Sequence, residues 1–251
     1  MIDFGGRNVI VTGAGGGLGK ALVQVLASCN ARVIACDVEG MDLSTEGIAE
    51  AHRFDLLDDR AIADFAAHAV SDGPPAAVIS NAGWTRAETL GAVTTDALDR
   101  EMNLNFRSAA LLSQALLPSM RNQPDGAAFV FISSVNAIAH FGNPAYAAAK
   151  AGLLAWMRAI ATEEGGNGIR ANGIVPGSIR TGAWEHRIAE KPEILGAVSR
   201  LYPLGRLVEP AEVARAAVFL ASSAASGITG VSLNVDAGLL ASNLPFLNEI
   251  A

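Results

Sequence analysis

Short runs of branched and small apolar residues recur along this chain without strict polar alternation, at 8–12, 32–36, 76–80, 127–133, 169–175 and 231–235, with a weaker one at 51–54. Runs of that length bounded by turn formers predict strands buried on both faces. Between them, apolar positions return at helical spacing over 18–29, 58–70, 94–120, 144–164 and 210–222. Strand and helix alternate almost throughout. The pattern predicts an α/β fold, a single-domain doubly wound parallel sheet of Rossmann-like type with helices on both faces. No stretch reads as an interdomain linker. The segment 179–204 breaks the rhythm, and a long excursion in a compact domain is expected to form a lid over a site.

Composition adds an expectation of assembly. Hydrophobic residues make up 51% of the chain and charged residues 17%, more apolar surface than one core needs, so a homo-oligomer, tetramer or dimer, is expected. The broad helices over 94–120 and 144–164, and the run 239–246, are the surfaces expected to make it. A formal net charge of -7 leaves no electrostatic footprint for nucleic acid or an anionic membrane. The partners expected are a small-molecule substrate and copies of the chain itself. Cys29 and Cys36 lack the spacing of a disulfide framework or zinc site and read as small buried hydrophobes. No leader pattern opens the chain and no apolar run reaches the roughly 20 residues of a membrane span, so a cytoplasmic location is expected.

Candidate chemistry lies in two places. Tyr146-Ala-Ala-Ala-Lys150 puts a phenol and an ammonium one helical turn apart on the same face. A phenol of pKa about 10 that must take a proton near neutrality needs roughly 4 kcal/mol of preferential anion stabilisation, part of which an adjacent ammonium supplies. At the other end, the first predicted strand runs into Thr12-Gly13-Ala14-Gly15-Gly16-Gly17-Leu18-Gly19 and then a helix. Glycines there let backbone approach a pyrophosphate, and the helix start offers free N–H groups. Asp37 closes the second strand at the interval expected for an acid that binds ribose hydroxyls. It would repel a 2′-phosphate, so NAD is expected over NADP.

Gly13 to Gly19, Asn81-Ala82-Gly83, Tyr146-x-x-x-Lys150 and Pro176-Gly177 occur in the order of the short-chain dehydrogenase/reductase family, which the chain resembles from end to end. The resemblance implies that Thr12, Gly13, Gly17, Leu18 and Gly19 line the pyrophosphate, that Asp37 holds the adenosine ribose, and that Asp55 and Leu56 flank the adenine. It implies that Asn81, Ala82 and Gly83 support the cofactor and that Ile179 and Thr181, after Pro176 and Gly177, contact the nicotinamide. It assigns catalytic roles to Asn103 and Ser134 beside Tyr146 and Lys150. Ser134 precedes Tyr146 by one residue fewer than in most members, so Ser133 competes with it. Of Asn103 and Asn105, which face different sides of a helix, the family pattern selects Asn103. The stretch from Asp37 to Phe54 is too short for the family's usual helix.

In this reading Tyr146 is the proton carrier, Lys150 stabilises its phenolate and binds the nicotinamide ribose, Ser134 positions the substrate oxygen, and Asn103 holds a water linking Lys150 to solvent. The set requires no metal. Trp84, Asn136, His140, Phe141, Asn143, Trp184, His186 and Arg187 are candidate substrate-lining residues. Aromatic walls with hydrogen-bonding groups suit a polar secondary alcohol such as a polyol, sugar or hydroxy acid. Two alternatives stand: a 3-oxoacyl thioester (acyl-carrier-protein) reductase using NADPH, and a non-catalytic NAD-sensing or scaffold protein.

Overall fold

The structure, a computed structural model, describes residues 2–85, 88–241 and 243–250. Its strands are β1 (Asn8–Thr12), β2 (Arg32–Asp37), β3 (Ile48–Arg53), β4 (Ala77–Ser80), β5 (Ala127–Ile132), β6 (Ile169–Pro176) and β7 (Ser232–Val235). They form one sheet in the order β3-β2-β1-β4-β5-β6-β7, parallel at every pairing. The helices are α1 (Gly17–Ser28), α2 (Asp59–Ala69), α3 (Thr95–Met102), α4 (Ser108–Met120), α5 (Pro144–Glu163), α6 (Gly182–Glu190), α7 (Glu193–Ser199), α8 (Pro210–Ala221) and α9 (Leu244–Ile250). The doubly wound parallel sheet expected from the apolar runs is the fold found.

Because strand side chains alternate between faces, the central strands feed two separate cores. Val9, Val11, Val33, Ala35, Ala128 and Val130 pack with α1 and α8 on one side. Ile10, Ile34, Cys36, Phe129 and Phe131 pack with α2, α4 and α5 on the other. Complete burial of β1, β4 and β5 on both faces is why their sequences show no polar alternation. β1 lies between β2 and β4, so the chain leaves it in opposite directions and a crevice opens beyond the carboxyl ends of β1 and β4.

Three elements differ from the sequence expectation. The helix expected over 94–120 is divided: α3 and α4 flank a π-helical turn, Asn103–Arg107. The weak run at 51–54 is part of a longer edge strand, β3, half-exposed in alternation because only one neighbour and one face cover it. The other edge strand, β7, is largely exposed where burial was expected. As the short stretch from Asp37 to Phe54 implied, no helix lies between β2 and β3; residues 38–47 cross in an irregular path whose Leu43 plugs the core beside α1. The excursion at 179–204 folds into α6 and α7.

Gly47 ends that irregular crossing at φ +100°, where a Cβ would come 2.4 Å from the Ala27 Cβ on α1. Gly40, at φ +83°, has nothing within 4 Å of the same position. Gly47→Ala is expected to lower stability by about 2–4 kcal/mol and Gly40→Ala by about 1 kcal/mol, the second carrying backbone strain alone. Urea denaturation of both variants checks this; equal losses would show that the contact with α1 does not constrain the crossing.

Candidate active site

The Gly-rich turn joins β1 to α1 at the crevice. Gly13 sits at φ +66°, and a Cβ there would lie 2.8 Å from the Ala82 Cα; one on Gly19 would lie 2.0 Å from the Gly13 carbonyl oxygen. Side chains at either position would push the turn off its helix. Thr12 and Asn81 tie the carboxyl ends of β1 and β4 together. The backbone N–H groups of Asn81 and Ala82 both donate to Thr12 Oγ1 at 3.1 Å, and Asn81 Nδ2 donates to the carbonyls of Thr12 and Gly13 at 3.0 Å.

A cleft of about 510 Å³ opens over this junction, lined by the predicted Gly13, Gly17, Leu18, Gly19, Asp37, Asp55, Leu56, Asn81, Ala82, Gly83 and Trp84, and also by Arg100 and Leu104. Asp37 holds its carboxylate at the cleft by accepting from the N–H of Gly15 (2.9 Å) and of Val38 (2.8 Å). Beyond β6, Gly177 packs against Tyr202 and Asp236, and the Thr181 side chain would meet a Cβ on Gly17 at 3.0 Å. The excursion therefore closes on the Gly-rich turn. Ile179 packs on the core beside α1 and α8, and its backbone bridges Val208. The crevice, the glycine cradle and the acid at the end of β2 fit a dinucleotide.

Beyond the carboxyl end of β5, two successive serines point opposite ways. Ser133 Oγ is buried and donates to the Lys150 carbonyl oxygen at 3.0 Å, joining β5 to α5. Ser134 Oγ accepts from the Asn136 N–H at 3.2 Å and lies near enough to Tyr146 to favour its phenolate. The geometry thus separates the two candidates: Ser134 shares the site with Tyr146, and Ser133 is a structural tie. Lys150 is 3% exposed, and its Nζ donates to the Ile132 carbonyl oxygen at 2.9 Å and lies 5.6 Å from the Tyr146 ring centroid. Burial lowers its pKa to about 8, against which the Glu101 charge raises it. Burial raises the Tyr146 phenol to about 12; the Ser134 hydroxyl lowers it and the Glu101 charge raises it further.

The asparagine assignment is corrected. Asn103 is exposed on the outer side of the π turn, whereas Asn105 is 1% exposed and faces the site. Asn105 Nδ2 donates to the Trp84 carbonyl oxygen (2.9 Å) and to the Glu101 carboxylate (2.6 Å). Its Oδ1 is buried without a hydrogen-bond partner among the described residues. A Cβ on Gly83 would come 2.7 Å from that oxygen and 3.2 Å from Lys150 Nζ, so both atoms converge above Gly83. The π turn widens the helix by one residue and carries Asn105 inward. A signal for it was present: Glu101, Asn105, Ser108, Leu112 and Leu116 form one stripe at spacings of three and four, all of them buried. Asn103 lies off that stripe. The buried Glu101 was not singled out from sequence.

The expected substrate side is only partly assembled. Trp84 is half-exposed at the cleft with the Arg100 guanidinium 4.9 Å from its ring centroid. Asn143 and Asn136 support loops: Asn143 Oδ1 accepts from the Glu88 N–H at 2.9 Å, and Asn136 Nδ2 donates to the Gly142 carbonyl oxygen at 3.3 Å. His140 and Phe141 are exposed. On α6, Trp184 is half-buried beneath the Arg187 guanidinium, while His186 pairs outward with Glu190. Outside the cleft, Glu50, His52 and His68 bring potential metal-ligand atoms within 4.8 Å of one another. Both imidazole Nε2 atoms already meet Glu50 Oε1, and Arg32 binds Oε2, so the carboxylate is satisfied by the protein itself.

Burial of the Lys150 ammonium predicts a stability cost. Its folded pKa of about 8 lies below the 10.5 of an exposed lysine, a gap worth roughly 3 kcal/mol. The unfolded chain binds the extra proton, so the cost is complete below pH 8 and disappears as pH rises toward 10.5. Lys150→Met, which also gives up the bond to Ile132, is expected to raise stability at pH 7 by about 1–3 kcal/mol, with the gain shrinking between pH 8 and 10. Thermal unfolding across that range tests it; a destabilised variant at pH 7 would contradict the sign.

A family model described as enoyl-(acyl carrier protein) reductase matches residues 13–240. The 3-oxoacyl-[acyl-carrier-protein] reductase of Thermotoga maritima is 34% identical, covering 94% of this chain and 98% of its own. An oxidoreductase of the short chain dehydrogenase/reductase family from Burkholderia thailandensis matches with a TM-score of 0.89 at 36% identity, over 97% of this chain and 96% of that one. An NADPH-bound short chain oxidoreductase from Pseudomonas aeruginosa matches with a TM-score of 0.87 at 31% identity, over 95% and 98%. With the Gly-rich turn and the Asn81 clamp lining one cleft and Lys150 meeting its edge at Gly83, this chain belongs to the short-chain dehydrogenase/reductase family of oxidoreductases.

Proposed function

We propose that the protein interconverts a secondary alcohol and a ketone with NAD(H). The observation that carries this reading is the buried Lys150 ammonium 5.6 Å from the Tyr146 ring centroid, with Ser134 alongside the phenol. The nicotinamide, when bound, supplies the hydride acceptor or donor. In the oxidising direction Tyr146 Oη takes the alcohol proton. Ser134 Oγ donates to the substrate oxygen and orients it, and the Lys150 ammonium, 5.6 Å from the Tyr146 ring centroid, favours the phenolate by electrostatic attraction. With the cofactor bound, Lys150 would also hold its nicotinamide ribose. Asn105, in place of Asn103, keeps an acceptor beside Lys150 and serves its link to solvent. In reduction the same proton returns from Tyr146 to the nascent alkoxide.

The preference for NAD rests on Asp37, whose carboxylate is fixed toward the cleft and suits ribose hydroxyls. Lys20, which follows the Gly-rich turn, is occupied by Asp42 at 2.7 Å. Arg53, the register partner of Asp37 on β3, is exposed and outside the cleft lining. For the substrate, a polar alcohol such as a polyol, sugar or hydroxy acid is supported by Trp84 and Trp184 near polar neighbours. A second reading, a 3-hydroxyacyl or 3-oxoacyl thioester, is favoured by the 3-oxoacyl reductase activity for which the Thermotoga relative is named and by the engagement of Asn136 and Asn143 in loop hydrogen bonds. Self-association, with 179–204 acting as a lid, completes the proposal.

A panel of polyols, hydroxy acids, secondary alcohols and 3-hydroxyacyl thioesters, each assayed with NAD and NADP, tests the reading and separates the two substrate classes. Absence of turnover across the panel would leave a dinucleotide-binding protein without chemistry. Tyr146→Phe removes the proton carrier while keeping the ring, and kcat is expected to fall by about 10²–10⁴-fold with NAD affinity preserved. Asp37→Ser is expected to lower kcat/KM for NAD at least about tenfold and to raise relative use of NADP, since one lost charged hydrogen bond to ribose is worth 1.5–3 kcal/mol. Steady-state kinetics with both cofactors measures it; an unchanged ratio would remove Asp37 as the selector.

A further inference from the structure

Glu101 is a buried acid beside the proton-transfer groups, and the mechanism above assigns it no task. It lies on the last turn of α3, 7% exposed, one turn before Asn105 on the inward stripe. Its carboxylate accepts from Asn105 Nδ2 at 2.6 Å, and its backbone carbonyl accepts from the same nitrogen at 3.2 Å. A carboxylate can only accept. Together with the Trp84 carbonyl, it therefore compels the amide to turn its NH₂ inward and to present Oδ1 to the space above Gly83 that Lys150 Nζ shares. Without that constraint the amide could turn its donors toward the ammonium.

We propose that Glu101 is a positioning residue of the proton-transfer site, resting on the reading of Tyr146 and Lys150 given above: it fixes the Asn105 amide and supplies the negative charge that keeps buried Lys150 protonated. Among the described residues, the titratable groups that face it from the neighbouring helix include Lys150 and Tyr146, both on α5. On its own helical segment Arg100 is turned onto the Trp84 ring, and Arg107 is held by Asp59. The Glu101 charge raises the pKa of Lys150 and also that of Tyr146. Both shifts have one sign, because a negative charge favours the protonated form of each group. Its effect is to move the titration of the coupled pair to higher pH and to keep the ammonium in a site whose burial works against it.

The test uses the small number of lysines. Lysine occurs only at 20, 150 and 191, so the full chain labelled with ¹³C-lysine gives three Cε signals, and loss of one in Lys150→Met assigns the site. Glu101→Gln keeps an acceptor for Asn105 but removes the charge, and the Lys150 midpoint is expected to fall by at least about half a pH unit. Glu101→Asp retains the charge and is expected to hold the midpoint near that of the wild type. Coincident midpoints for wild type and Glu101→Gln, or an equal fall in Glu101→Asp, would overturn the proposal. If Glu101→Gln does not fold, Glu101→Met provides the same comparison. With an alcohol that the wild type oxidises, Glu101→Gln is expected to move the acid limb of the pH–kcat profile to lower pH with KM for NAD unchanged. A uniform loss of kcat without that shift would reduce Glu101 to a packing role. The lysine titration needs no substrate, so a wild type that oxidises nothing would count against the proposed function and leave the Glu101 result standing.

Discussion

An ammonium sealed beneath a tyrosine is the constraint on which the site depends. Lys150 is almost wholly withdrawn from water, and one backbone carbonyl, that of Ile132, takes one of its hydrogens. Burying such a charge is unfavourable unless neighbours compensate it. The surroundings are arranged to do so: β5 ends at the right height to offer Ile132, Ser133 fastens α5 to the strand through the Lys150 carbonyl, and Glu101 contributes an opposing charge. The side of the sheet that carries this load is also the one with its large aromatic core, Phe129 and Phe131 stacked beneath α5. Packing on that face holds the lysine where its own hydration would not.

The crevice joins this end to the dinucleotide end by a second, purely polar device. Thr12 and Asn81 are on strands that belong to the two halves of the fold, and four hydrogen bonds between their segments lock the carboxyl ends of β1 and β4 together. The glycines of the turn then serve a geometric purpose, since Ala82 lies against Gly13 and Thr181 against Gly17 at distances that leave no space for a side chain. Gly83 has the same character at the other end, with Asn105 and Lys150 both crowding its Cα. Glycines thus mark both ends of the crevice edge, Gly13 and Gly17 beside the helix start and Gly83 beside Lys150.

Along that edge, legibility varied with the kind of interaction. The Gly-rich turn, Asp37, the Asn81-Ala82-Gly83 turn and the Tyr146–Lys150 spacing could be read because each is local, set by sequence neighbours or by one helical turn. Asn105 was misassigned because a straight helix over 94–120 hides the π turn that rotates it inward. The stripe from Glu101 to Leu116 carried the right face, but its polar members interrupt the apolar pattern that ordinarily marks a buried helix side. Asn136 and Asn143 were read as free polar groups, whereas their partners, the carbonyl of Gly142 and the N–H of Glu88, are backbone atoms that no composition displays.

By itself the sequence determined the layered parallel architecture and the residue types that fit a dinucleotide and a proton carrier. Those follow from periodicity and local geometry, which act over a few residues. Tertiary structure decided which serine and which asparagine enter the site, that Lys150 is buried, and that a glutamate accompanies it. Burial and long-range charge depend on which elements come to lie against one another, and that information is distributed over the whole chain.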